Sequence, residues 1–178
     1  MLTVTIPRTE LFNDETSEFH IVKEQTLVLE HSLVSLSKWE SKWHKPFLSK
    51  KEKTTEETID YIRCMTVNGN VDPMVYYCIT NEIIGKVNEY ISDPMTATTF
   101  SQKNGNNREI ITAEIIYYWM VSLNIPFECQ KWHLNRLLTL VNVCSIKNSP
   151  PKKMGKKAIM ARNQSLNAAR RKALNTSG

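Results

Sequence analysis

The chain has 178 residues, 41% hydrophobic and 23% charged, with a formal net charge of +5. That length suits one domain with an appendage and allows a core to form without staples. Cys64, Cys78, Cys129 and Cys144 form no CxxC pair, and the five glycines build no phosphate loop. A disulfide framework and a nucleotide-binding loop are both disfavoured.

The first residues, Leu2 to Ile6, alternate apolar and polar and stop at Pro7. This predicts a half-buried strand. The opening lacks the apolar core of a secretory signal, so the reduced cytosol is the expected compartment. Asn13 to Thr16 is turn material, and Phe19, Ile21 and Leu27 to Leu29 read as a second extended segment. Together they predict an N-terminal β-hairpin over residues 1–31.

From Ser32 the period changes to three and four, on Leu33, Leu36, Trp39 and Trp43. An amphipathic helix follows, capped by Ser32 and ending before Pro46. Thr54 and Glu57 match a capping box for a second helix running to about Met65. Asp72-Pro73 predicts a third start, continued by Val75, Ile79, Ile83, Val87 and Tyr90. Ser92 to Arg108 reads as a long linker. Glu109 to Leu123 is the most apolar segment and predicts a central helix buried on most sides. Pro126 opens a further helix with Trp132, Leu137, Leu138, Val141 and Cys144 as its inner stripe. The expected fold is thus α+β and mostly α: a hairpin, a bundle of four to five helices over 32–149, and a basic arm over 150–178. Trp39, Trp43, Ile115, Trp119, Trp132, Leu137 and Leu138 are expected in or near the core.

Charge sets the arm apart. Nine Lys and Arg residues and no Asp or Glu follow Ile146, so with +5 overall, residues 1–146 carry −4. A cationic arm seeks an acidic partner, a nucleic acid or an acidic protein surface. Met160 to Leu174 can form a helix. The longest apolar run, Ile115 to Leu123, is too short to cross a membrane.

Chemistry-bearing motifs are sparse. Cys129 and His133, four apart on a predicted helix, share a face, but a zinc site needs three or four ligands. No Walker A, dinucleotide, His-Glu-x-x-His or Gly-x-Ser-x-Gly pattern occurs. No catalytic residue, metal or cofactor is expected, and the protein reads as a non-enzyme. Candidate partner-binding residues are the aromatics Trp39, Trp43, Tyr117, Tyr118 and Trp119, and the cations Lys152, Lys153, Lys156, Lys157, Arg170, Arg171 and Lys172. Trp39 and Trp43, flanked by Lys38, Lys42 and Lys45, could form a stacking platform for nucleic acid, but their spacing is also that of a core stripe.

Four stretches carry a resemblance: Leu29 to Leu48 (LEHSLVSLSKWESKWHKPFL), Arg108 to Met120 (REIITAEIIYYWM), Pro126 to Asn148 (PFECQKWHLNRLLTLVNVCSIKN) and Leu166 to Lys172 (LNAARRK). In them the chain resembles small proteins encoded in the tail-gene modules of long-tailed bacteriophages, near the tape-measure gene. The resemblance implies a mostly helical tail assembly chaperone that needs no cofactor. It would bind the tape-measure or another tail protein in the host cytoplasm and leave as the tube forms. The basic arm departs from that pattern. It keeps open a virion structural protein of the tail or head-tail region, retained in the particle, or a nucleic-acid-binding protein. Self-association is a further expectation for the apolar segment Ile115 to Met120.

Overall fold

The computed structural model describes residues 1–13, 18–100, 110–150 and 155–176. Strands β1 (Leu2–Ile6) and β4 (Gln25–Leu29) pair antiparallel, as do β2 (Thr9–Asn13) and β3 (Glu18–Val22). Both ladders keep one register, from Leu2↔Leu29 and Ile6↔Gln25 to Thr9↔Val22 and Asn13↔Glu18. The expected hairpin is therefore one long ribbon interrupted once, at Pro7-Arg8 and Lys23-Glu24. Pro7 has no N–H to offer the ladder, which accounts for a break there. The buried side switches across it. Val4, Ile6, Leu27 and Leu29 enter the core from β1 and β4, and Val22 from β3, while Phe12 and Phe19 face water as an opposed pair with ring centroids 5.0 Å apart. The strand β2 was not anticipated, and most of the expected turn lies outside the described residues.

Helix α1 (Leu33–Trp43) starts where Ser32 Oγ accepts from the Ser35 N–H at 3.3 Å, and ends at His44 in the left-handed region with φ 53°. Helix α2 (Thr55–Met65) carries the predicted capping box: Thr54 Oγ1 accepts from Glu57 N at 3.2 Å and Glu57 Oε2 from Thr54 N at 2.9 Å. Its exit joins the ribbon, with Val67 N–H donating to Val28 O at 2.9 Å and Leu29 bridging Thr66.

Two expected long helices are each divided. A 3₁₀ turn, Pro73–Cys78, precedes α3 (Asn81–Ser92), because Ile79 and Thr80 are extended and the Thr80 hydroxyl caps the new helix. Another 3₁₀ turn, Phe127–Lys131, precedes α5 (Leu134–Asn148). Here Ser32 and His133 form a β-bridge, and Leu134 N–H donates to His31 O at 2.7 Å. Pairing across the chain outcompetes helix continuation at Trp132-His133, as tertiary context commonly overrides propensity.

The segment expected to be buried on most sides is also different. Helix α4 (Ala113–Ser122) buries Ala113, Ile116 and Met120, and α1 packs against it. Ile110, Tyr118 and Val121 are exposed and Ile115 is half-buried. Trp39 and Leu137 are buried as expected, and Trp43, Trp119, Trp132 and Leu138 pack half-buried at the core margin. The expected linker begins in an irregular segment, 93–100, and its remainder is outside the described residues.

The fold is α+β and mostly α. The chain divides into two compact units, Met1–Ser145 and Ile146–Gly178. The second contains α6 (Lys156–Leu174), which ends on Asn175 at φ 52° and none of whose residues is buried.

Candidate functional site

The Trp39–Trp43 pair is built into the packing of α1 on α2. Trp39 is 1% exposed, donates Nε1–H to Glu57 O at 2.9 Å and meets Phe47 edge-on at 5.1 Å. Trp43 stacks on Trp39 and donates Nε1–H to Asp60 Oδ2 at 2.9 Å. Lys42 and Lys45 lie 5.7 and 5.6 Å from the Trp43 ring centre and pair with Asp60 and Glu57. The Lys45 hydrogen bond, then the Thr54 backbone bond, holds the Glu57 carboxyl below its ordinary pKa. Burial pushes Asp60 up, but hydrogen bonds from Lys42 and Trp43 outweigh it and the net shift is downward. The expected platform is thus a structural seam: Trp39 is closed to a partner, and the cations around Trp43 already serve buried carboxylates.

The α4 aromatics divide by face. Tyr117 turns toward the core and donates its hydroxyl to Gln130 Oε1 at 2.9 Å, its phenol pKa raised by burial and then by Glu114. Trp119 is half-buried against the core. Tyr118 is 68% exposed and Val121 59%. Glu114, Tyr118 and Val121 stand at i, i+4 and i+7 and share the outer face. Beyond the helix Phe127 is also exposed, its ring 6.3 Å from that of Tyr117. Among the aromatics expected to meet a partner, Tyr118 is the one the fold presents fully. Val121 joins it on that face, as the seven-residue spacing from Glu114 indicates, and Phe127 is exposed beside Tyr117.

A separate buried polar cluster lies where β4, α1, α2, α3 and α5 meet. The hydroxyl of Tyr90 donates to Glu30 Oε1 at 2.8 Å, and His133 Nε2 lies 3.0 Å from Tyr90 O. His31 Nδ1 is 2.6 Å from the Tyr61 hydroxyl, and the two imidazoles meet edge to face at 5.1 Å. Burial, with His133 adding to it, lowers the His31 pKa to about 3, so the ring is neutral near pH 7. Burial also holds Tyr61 protonated, well above its ordinary range. The imidazole tautomer sets which of His31 Nδ1 and the Tyr61 hydroxyl donates in their bond. This cluster ties α2 and α3 to the segment leaving the ribbon and to the start of α5, and its members are closed to solvent.

Cys129 and His133 do not share a helix face, since the chain turns between them. Among the described residues no three His, Cys, Asp or Glu side chains converge as metal ligands, and no helix is long and apolar enough to cross a membrane. An open cleft of about 380 Å³ runs beside α2, but its Lys42 is paired with Asp60 and its Arg63 stacks on Tyr76 at 4.8 Å. Lys156, Lys157, Arg170, Arg171 and Lys172 all stand exposed on α6, whereas Lys152 and Lys153 lie outside the described residues. No protein-family model matches the chain, and neither a curated protein nor a solved structure matches it.

Proposed function

We propose that the chain acts without catalysis, as a tail assembly chaperone of long-tailed bacteriophages. It holds an apolar helix of the tape-measure protein, or of another tail protein, during virion assembly in the host cytoplasm. The observation that carries this reading is the outer face of α4, where Tyr118 and Val121 are more than half exposed. Apolar residues that are exposed together on one face, rather than singly, mark an interaction site. From Ala113 to Gln130 there is no Lys or Arg, and the charges are those of Glu114 and Glu128. An apolar ridge edged by carboxylates suits an amphipathic helix whose anchors are flanked by cations. The four sequence stretches described above supply the class of partner.

Co-expression with the tape-measure protein of a long-tailed phage is the test. A soluble complex is expected from the unaltered chain. The double variant Tyr118→Lys with Val121→Lys should lose it by tenfold or more in affinity, as for central interface residues, without a fall in Tm. Undiminished capture by that variant refutes the α4 site. Recovery of the chain in finished particles at a fixed ratio to tail proteins favours the virion structural alternative.

A further inference from the structure

We propose that α6 is a DNA-binding helix that lies in the major groove of a B-form duplex, an activity independent of the α4 face. Six cations, Lys156, Lys157, Arg162, Arg170, Arg171 and Lys172, stand on this helix with no carboxylate, and all are exposed. Like charges at helical spacing repel, and Lys156 and Lys157 occupy the first turn, where the helix dipole disfavours cations. A polyanion relieves both costs.

An acidic protein surface could do so too, but the rest of the helix favours DNA. A helix that docks in a protein groove needs apolar anchors at i, i+3 or i+4, and i+7. Ile159 and Leu166 are seven apart, but Arg162 and Asn163 occupy the positions between them that would complete the stripe. Five of the six cations instead cluster at the two ends, with Arg162 between them. Lys157 and Arg171 are fourteen residues apart, about 21 Å along a helix rising 1.5 Å per residue. Two such clusters can reach phosphates on either side of a groove about 12 Å wide. Between them lie Asn163, Gln164 and Asn167, together with Arg162, Ser165, four alanines and the exposed Ile159, Met160 and Leu166. Asn163 and Asn167, at i and i+4, share one face, and Asn is a side chain that bonds adenine edges. The major groove of B-DNA admits an α-helix, whereas that of A-form RNA is too deep and narrow for side chains to read. A protein surface would use the cations and leave the amide face idle.

The test uses the full chain and a fluorescein-labelled mixed-sequence DNA duplex of two helical turns, followed by anisotropy. With about six phosphate contacts, log K should fall against log salt with a slope near −5, roughly a thousandfold loss between about 50 and 200 mM. The triple variant Arg170→Gln, Arg171→Gln, Lys172→Gln should flatten that slope by about 3 and weaken binding at least tenfold. Its side chains are exposed, so Tm and far-UV circular dichroism should match the unaltered protein, which separates lost contacts from lost fold. An RNA duplex of the same length should bind more weakly, and polyglutamate should fail to displace the DNA at equal charge concentration. Absence of DNA binding at low salt overturns the proposal, as does an unchanged slope in the triple variant. Equal affinity for RNA rejects the groove assignment, and displacement by polyglutamate makes an acidic protein surface the better partner. None of these outcomes depends on Tyr118 or Val121, so the α4 site stands or falls separately.

Discussion

His31 makes stability depend on pH in a way that can be worked out beforehand. The imidazole is 2% exposed, and its pKa is lowered from 6.5 to about 3 by burial and then by His133. In the fold it binds no proton until the pH approaches 3, whereas in the unfolded chain it takes one up below 6.5. Its contribution is therefore intact above pH 6.5 and is lost as the pH falls, levelling off only near pH 3. Each pH unit between those limits costs about 1.4 kcal/mol. By pH 5 the loss from this one residue is about 2 kcal/mol, before carboxylates begin to titrate. That is a large share of the stability of a domain this size.

The perturbation is His31→Gln, whose amide can still hydrogen-bond the Tyr61 hydroxyl but does not titrate. Urea unfolding at intervals from pH 7.5 to 5 gives ΔG for both proteins. The variant is less stable at pH 7.5, because a flexible amide replaces a packed ring. The gap should then shrink by about 2 kcal/mol on reaching pH 5, since the unaltered protein alone carries this proton uptake. Comparing the two proteins cancels the groups that do not interact with His31. A gap that stays constant across the series refutes the premise that the fold holds His31 neutral.

Other substitutions probe the seams around α1. Trp39→Ala should cost roughly 3–5 kcal/mol in urea unfolding, the range for a buried aromatic, and a loss under 1 kcal/mol would contradict its place in the core. Glu40 accepts from Phe47 N and Ala113 N, each at 2.7 Å. Glu40→Ala leaves both donors buried and unpaired, at about 1–3 kcal/mol each, and should loosen the start of α4 in hydrogen exchange. Thr54→Ala should cost about 1 kcal/mol with no change in m-value. Asp60, with its pKa lowered from 3.8, stabilises the fold above that pH and loses its contribution as the pH falls below it. Asp60→Asn should accordingly flatten stability against pH below about 4.

Local rules carried the sequence far where one segment decides its own structure. Ser32 and Thr54 stand where their side chains say a helix begins, and His44 closes α1 two residues before Pro46. Alternation in Leu2 to Ile6 reported a strand with one buried side. The rules failed where a distant segment decides. Nothing within residues 126–148 shows that His133 will bridge Ser32, a contact spanning about a hundred positions, so two elements read as one helix. The break at Ile79-Thr80 was closer to legible, because Thr80 is a capping residue followed by a good helical pattern. The pairing of β2 with β3 was less legible, because Thr9 to Asn13 is short and begins with Thr-Glu, although Phe12 opposite Phe19 is a favourable cross-strand pair.

Helix α4 bears most on function, through its exposed face. Its composition is apolar nearly all round, and burial on most sides was the natural inference. A core built from one α+β unit of this size meets each surrounding helix from one side, and Ala113, Ile116 and Met120 satisfy it. Tyr118 and Val121 are surplus to that need, so they stand in water, where they add nothing to the core. Glu114 on the same face is the polar mark that separates such a helix from a fully buried one, since an unpaired carboxylate does not enter a core. The same separation of roles recurs in charge: Lys42 and Lys45 neutralise buried carboxylates in the body, whereas the six cations of α6 have no carboxylate on their own helix. Where a residue's partner lies within the fold, its role is stability. Where apolar surface or charge is left over, as on α4 and α6, the remainder is what another molecule can use.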